Sequence, residues 1–275
     1  MKWGRAAALY LSLALLALIY CLPILYMLIG SLKADEQVLV QQGKLSAFLA
    51  TPLTLQNYRD VFQRVPFVQY LLNSAWINGL IVGGGLLVNA LAGYALARLR
   101  WRGRETLLLF VLALLIVPFE ALAVPLFLEL SAVGMRDTYS AQVLPFVANP
   151  LAIFLFYSFF LGLPRELEEA ARLDGAGYLR TFFSIVLPNS KPAFATVATV
   201  TFLFHWGMYL WPLLMTAGES VRPLPLGIAT FFSLPPRQWG DILAFGVMMV
   251  LPVLILFVLF QRWFVRGVAT SGLKG

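Results

Sequence analysis

The sequence predicts an all-α integral membrane protein with six transmembrane helices. Three observations carry this. Of the 275 residues, 60 % are hydrophobic and only 12 % are charged, which is about half the charged share of an ordinary soluble domain. The mean hydropathy of +0.83 agrees. Second, six stretches are nearly free of charge and long enough to span, given that a spanning helix needs about 20 mostly apolar residues. Third, the basic residues are unevenly placed. Six spans put both termini on one side, and that side takes thirteen Lys and Arg against seven on the other. The positive-inside rule makes it the cytoplasmic side. This composition excludes a disordered chain, which needs low hydrophobicity and high charge.

The spans fall near 6–32, 68–97, 106–128, 138–162, 192–215 and 242–262. The first follows Lys2 and Arg5 and runs 27 residues without a charge, well beyond the roughly 7–15-residue core of a secretory signal. Tyr20, directly before Cys21, argues against lipoprotein processing. A long outer loop, 33–64, leads to the second span. A short basic loop with Arg98, Arg100, Arg102 and Arg104 leads to the third. That span holds Glu120 between Pro118 and Pro125, and each proline frees a backbone carbonyl that needs an internal partner. An outer turn, 129–137, precedes the fourth span, and a long inner loop, 163–191, follows it. The loop 216–241 carries Pro223, Pro225, Pro235 and Pro236 before the last span. None of these stretches alternates in the manner of barrel strands, which run about ten residues.

The same composition narrows the chemistry. One cysteine, Cys21, and one histidine, His205, make neither an internal disulfide nor a Cys/His zinc site. They are a poor start for a membrane enzyme, which needs a nucleophile with its base or a metal cluster. No Gly-x-x-x-x-Gly-Lys-Ser/Thr run is present, so the sequence offers no P-loop for ATP. The net charge of +7 is spread over short loops. It reads as topology rather than as a nucleic-acid surface.

The inner loop is the most informative segment. Pro164 stops the preceding span and can open a new helix. Glu166, Glu168 and Glu169 sit in its first turns, where negative charge suits the helix dipole. Glu168 and Arg172 are four apart, in the favourable order for a surface ion pair. Leu167, Ala170 and Ala171 form a narrow stripe of mostly small residues, which lets a partner backbone come close. Gly175 stands where a left-handed cap ends the helix. Gly177 and the apolar stretch 182–187 begin a second short helix that Pro188 ends. An interfacial lipid-binding helix would use larger apolar residues and a basic polar face. Here acids match bases, which favours a protein partner.

Glu169-Ala170-Ala171, three residues, Gly175, nine residues, Ile185, one residue, Leu187-Pro188 resembles the coupling-loop signature of ABC importer permeases. Asp174-Gly175-Ala176 looks like the carbohydrate-uptake branch, relatives of the maltose permeases. Leu55-Gln56-Asn57-Tyr58, Asn73-Ser74, Gly93 to Arg98, Pro118 to Pro125 and the tail 267–275 are similar to that branch as well. The resemblance implies a type I ABC importer permease fold, in its smaller six-span form, with a coupling helix in the inner loop. It implies a multi-pass subunit of a bacterial or archaeal cytoplasmic (inner) membrane, moving a sugar or sugar-like solute by alternating access. It carries over Glu169 as a polar contact to a cytoplasmic ATPase dimer, Ala170 and Ala171 as a close-packing surface and Gly175 as the turn. Asp174, Ile185, Leu187 and Pro188 complete the coupling set. The implied partners are a second permease, the ATPase dimer, an extracytoplasmic solute-binding protein and lipid. No cofactor is expected on this chain, ATP and Mg being used by the ATPase, and no nucleic acid is expected. An amino-acid or ion branch shares the coupling motif and stays open. A stand-alone secondary transporter fits less well, because no internal repeat or paired intramembrane charge is seen.

Inside the spans, Glu120, His205, Trp206 and Tyr209 are the candidates for a translocation pathway. A charge at mid-membrane costs roughly 3 kcal/mol on insertion scales and faces the bundle interior or water. The competing readings are a Glu120 near the outer interface and an aromatic girdle formed by the tryptophans. The family's polar pattern around this tryptophan is replaced by His205, Gly207 and Met208. Asn73, Asn78, Asn89, Gln142 and Asn149 read as hydrogen-bond ties between helices, and Gly79 with Gly83-Gly84-Gly85 as a close-packing face.

Overall fold

The computed structural model describes residues 2–49 and 52–271. Every regular element among them is helical. In chain order these are α1 (Lys2–Ser31), α2 (Asp35–Val40), α3 (Gln56–Arg64), α4 (Phe67–Arg98), α5 (Arg104–Leu114), α6 (Phe119–Ala132), α7 (Tyr139–Val147), α8 (Pro150–Leu161), α9 (Glu166–Leu173), α10 (Tyr178–Thr181), α11 (Leu187–Asn189), α12 (Lys191–Trp206), α13 (Leu210–Met215), α14 (Leu224–Ser233) and α15 (Trp239–Ser271). A 3₁₀ turn lies at Leu45–Phe48 and a π-helical turn at Phe182–Val186. The tail 267–275 is described only through Ser271; its last four residues lie outside the described residues.

Four stretches among the described residues are long and apolar enough to cross a membrane: Leu9–Ser31, Phe67–Arg98, Tyr139–Leu161 and Trp239–Leu259. The expected span 106–128 is instead a pair, α5 and α6, bent by 101°. Pro118 is the residue just before α6, where a proline cannot continue the α5 hydrogen-bond ladder. The expected span 192–215 is also interrupted. α12 stops at Trp206, Gly207 caps it, and α13 resumes at Leu210. Within the stretch Tyr139–Leu161, Asn149 breaks the backbone and caps α8, its side chain accepting from the Ala152 amide at 3.0 Å. Asparagine is among the preferred N-caps and proline suits the next position.

The chain divides into two compact units. One comprises 1–69 and 226–252. Here glycine sets the approach of α1 and α15. A Cβ on Gly30 would collide with Leu243 Cδ1, and one on Gly246 would stand 2.9 Å from Met27 Sδ. Lys33, just past α1, is buried. Its ammonium donates to Gln41 Oε1 at 2.7 Å and to the carbonyls of Ser46 and Ala47 at 2.9 and 2.7 Å. Three donors thus meet three acceptors, which is what a buried amine requires. Burial pushes its pKa below the ordinary lysine value. Arg64 pairs with the buried Asp241 at 2.6 Å and also donates to the Pro236 carbonyl, tying α3 to the start of α15.

The other unit comprises 70–225 with the chain from 253 onward. Its main core joins α4, α8, the π turn and α12 through Tyr94, Phe156, Phe160, Phe182 and Val197. Gly93 permits this. A Cβ there would meet Phe156 Cβ at 2.7 Å and the Tyr157 amide nitrogen at 2.9 Å. Backbone cannot move aside, so Gly93→Leu is expected to lower the thermal midpoint of the detergent-purified protein, by an overpacking cost of about 3 kcal/mol or more. A midpoint equal to wild type would mean that the α4–α8 contact is looser than described. Gly84 and Gly85 likewise face Val147, whereas a Cβ on Gly79 or Gly83 would meet nothing within 4 Å. The glycine face read from the sequence is therefore divided. One part packs inside the chain, and the other looks outward.

Candidate functional site

The 163–191 loop builds a two-sided helix. α9 starts beyond Pro164 with Arg165 as its cap and three acids in its first turn. It ends on Gly175, whose φ of +78° is the left-handed conformation that glycine adopts without strain. The Ala176 amide reaches back to the Ala171 carbonyl at 2.9 Å and the Gly175 amide to Arg172 at 3.0 Å. This pair of bonds is the Schellman motif. α10 follows, then the π turn and α11. Pro188 does not end the second helix as expected. It occupies the first turn of α11, where its missing N–H is no loss, and the helix continues to Asn189.

The inner side of α9 is fastened to the rest of the unit. Glu168 is buried and pairs with Arg98, at the end of α4, with Nε to Oε1 at 2.8 Å. Arg98 also donates from Nη2 to the Leu163 carbonyl, and the Tyr94 hydroxyl lies 3.4 Å from Glu168 Oε2. This corrects the expected surface pair of Glu168 with Arg172. Arg172 instead lies over the Tyr178 ring at 5.2 Å. Two ions taken out of water need each other more than two on a surface do, so Glu168 goes to the buried partner. Ala171 is also buried, while Val186 of the π turn closes the same side.

The outer side is open. Glu166, Glu169, Ala170, Arg172 and Asp174 are exposed. Beside them stand Leu173, 90 % exposed, with Tyr178, Leu179 and Phe183. The surface is therefore not an alanine stripe alone. Ala171 turns inward, and larger apolar residues on both sides of the Gly175 turn make up much of the outward surface. Ile185 and Leu187 are half-buried beneath it.

The pathway candidates lie apart in this unit. Glu120 is exposed in the first turn of α6, directly after the 101° bend. α5 has 11 residues, which rise roughly 16 Å, about half of a hydrocarbon core of roughly 30 Å. His205 and Trp206 are buried at the end of α12, and Tyr209 is exposed in the break after it. His205 packs edge-on against Phe146 at 5.0 Å, and Trp206 stacks on Phe202 at 5.0 Å. Trp211 is fully buried, its Nε1 donating to the Ala141 carbonyl at 2.9 Å. It is a core residue rather than part of an interfacial girdle.

Comparison with known proteins fits this arrangement. The family model described as "Binding-protein-dependent transport system inner membrane component" matches residues 89–270. This chain belongs to that family. It is 36 % identical over 266 residues to the arabinooligosaccharides transport system permease protein AraQ of Halalkalibacterium halodurans, covering 96 % of this chain and 95 % of the relative. It is 33 % identical over 271 residues to the trehalose/maltose transport system permease protein MalG of Thermococcus litoralis, covering 95 % and 94 %. The sn-glycerol-3-phosphate transport system permease protein UgpE of Yersinia pestis shares 37 % over 208 residues, covering 75 % and 74 %. A crystal structure of a bacterial ABC transporter involved in the import of the acidic polysaccharide alginate contains a chain that superposes with a TM-score of 0.82. It has 24 % identity, and 96 % of both chains is covered.

The fold of this inner-membrane component is that of a type I ABC importer permease, and the chain is a multi-pass protein of the inner membrane. The matched region takes in Glu120 and the whole of the 163–191 loop. Sequence reasoning missed the burial of Glu168 and the exposure of Leu173, Leu179 and Phe183. Leu173 follows Arg172 directly before the Gly175 turn, and an apolar residue at the end of so polar a helix was the available signal.

Proposed function

We propose that this inner-membrane component is the permease subunit of an ATP-driven importer for a sugar or sugar-like solute. The observation that carries the reading is the two-sided α9. Its inner side is locked to α4 by the Arg98–Glu168 pair, and its outer side offers Glu169, Ala170, Leu173 and Leu179 to a partner. Such a helix passes a push from outside the chain into α4 rather than bending on its own. In this reading the partner is one subunit of a cytoplasmic ATPase dimer, which uses the ATP and Mg. A second permease covers the outward glycine face at Gly79 and Gly83. A solute-binding protein delivers from the opposite side, and both termini are cytoplasmic. The transport systems of the relatives, for arabinooligosaccharides, trehalose/maltose and sn-glycerol 3-phosphate, support the solute class. Closure of the ATPase pair rocks the two permeases, and the site changes access. Glu120, at about mid-depth beside the bend, and the α12 break line that path.

Purification from the native membrane in mild detergent, through an N-terminal tag, tests the assembly. A P-loop ATPase and a second multi-span permease are expected in the same particle. A homo-oligomer without an ATPase would overturn the importer reading in favour of a secondary transporter. Within the complex, Glu169→Ala is expected to weaken ATPase attachment. It removes an exposed charge and so costs the fold little, about 0.5 kcal/mol or less. The ATPase-to-permease ratio after a salt wash measures this, and an unchanged ratio counts against Glu169 as a contact.

A further inference from the structure

The break between α12 and α13 opens beside a narrow recess in the unit 70–225. Ser74, Asn78, Gln142, Phe146, His205 and Trp211 are among its walls. Its free space suits a group the size of a water or a hydroxyl. Asn73, Asn89, Gln142 and Asn149 all spend their side chains on ties to other elements or on a helix cap, as the sequence leads one to expect. Asn78 does not. Its Nδ2 bonds only to the carbonyl of Ser74 in its own helix, at 2.9 Å. Its Oδ1 is buried without a hydrogen-bond partner in the chain, in a residue only 3 % exposed. A buried acceptor left in this state calls for an explanation beyond packing.

His205 supplies a matching group. Its Nδ1 lies 2.7 Å from the Thr201 carbonyl. A carbonyl has no hydrogen to give, so Nδ1 carries it, and in the neutral form of the ring Nε2 is then an acceptor. The interrupted backbone at Gly207–Tyr209 adds a third observation. Non-helical backbone at membrane depth is tolerated where it is buried in protein or lines an aqueous cavity.

We infer that this recess is a donor-selective subsite of the transport path, in which Asn78 Oδ1 and His205 Nε2 accept hydrogen bonds from hydroxyls of an uncharged, polyhydroxylated solute. Two acceptors repel a phosphate or carboxylate oxygen and welcome an O–H. Phe146 and Trp211 close its apolar side, so the recess admits a single hydroxyl rather than a ring. The inference rests on the importer reading above and narrows its solute from sugar-like to neutral.

The test uses the complete importer, with its partner permease, ATPase pair and binding protein, in proteoliposomes given labelled arabinotriose, maltose or sn-glycerol 3-phosphate. Wild type is expected to accumulate a neutral saccharide. Asn78→Leu is expected to cut that uptake by about tenfold at equal ATPase content, the loss of one or two hydrogen bonds to a desolvated acceptor. If Asn78→Leu fails to assemble, the histidine pair decides. His205→Gln, which keeps an acceptor, is expected to retain uptake that His205→Phe loses. Wild-type uptake and KM in Asn78→Leu, or equal uptake by the two histidine variants, would overturn the subsite and leave the importer reading intact. Accumulation of the phosphate ester alone would overturn the neutral solute. An assembled complex that hydrolyses ATP and accumulates none of the three would count against the sugar reading itself, and the subsite would fall with it.

Discussion

Glu168→Ala is expected to be the most destabilising single change at this end of the molecule. It leaves the Arg98 guanidinium buried, with 4 % of its side chain exposed, and removes its carboxylate at 2.8 Å. Breaking a buried pair from one side costs about 3–5 kcal/mol. At about 2–4 °C per kcal/mol, the thermal midpoint of the purified complex should fall by roughly 10 °C. Uptake should fall with it, since α9 loses its attachment to α4. The double change Arg98→Met with Glu168→Leu is expected to recover most of the stability, because apolar side chains of similar volume often replace a buried pair without loss. A double-mutant cycle on the midpoint reads the coupling directly. If each single change moved the midpoint by only a degree or two, the pair would be a surface contact and α9 would be held by packing alone.

Gly175→Asp separates docking from folding. A Cβ at this position meets nothing within 4 Å, so the chain has room for a side chain. The φ of +78° adds a local penalty of about 1 kcal/mol, small for aspartate because it tolerates this region better than most residues. The variant should therefore insert and fold. Its new carboxylate would stand next to Asp174, in the middle of the outward surface formed by Ala170, Leu173 and Leu179. Uptake is expected to be lost while the amount of chain in the membrane stays near wild type. Gly175→Asn carries the same bulk without the charge and should retain part of the activity. Normal uptake by the aspartate variant would remove this turn from the coupling surface.

These two positions also mark what can be read from a sequence. Gly175 was legible because a left-handed cap is a local event, written in the residues on either side. Glu168 was not. Its four-residue spacing to Arg172 is a true feature of the helix, but the stronger partner lies seventy residues earlier, at the end of α4. Spacing sees only one helix, whereas burial decides which ion pair forms. The spans show the same division. Charge-free windows located the apolar stretches, because the cost of a charge in hydrocarbon is a property of composition. The interruptions at Pro118, Asn149 and Gly207 depend on how freed backbone groups find new partners. The sequence carried the residues for all three breaks, but not the 101° at the first of them. Asn78 belongs to the same class, because an acceptor without a partner is visible only once its neighbours are in place.

Lys33 gives the protein a gauge of its own motion. The loop 33–64 holds two primary amines, and only Lys44 is open to solvent, while Lys33 is closed inside its three acceptors. An amine reagent supplied on the side of this loop therefore marks Lys44 and spares Lys33 for as long as the end of α1 keeps its grip on the loop. The proportion in which the two are marked becomes a clock hand, readable on unmodified protein, for any step of the cycle that loosens α1.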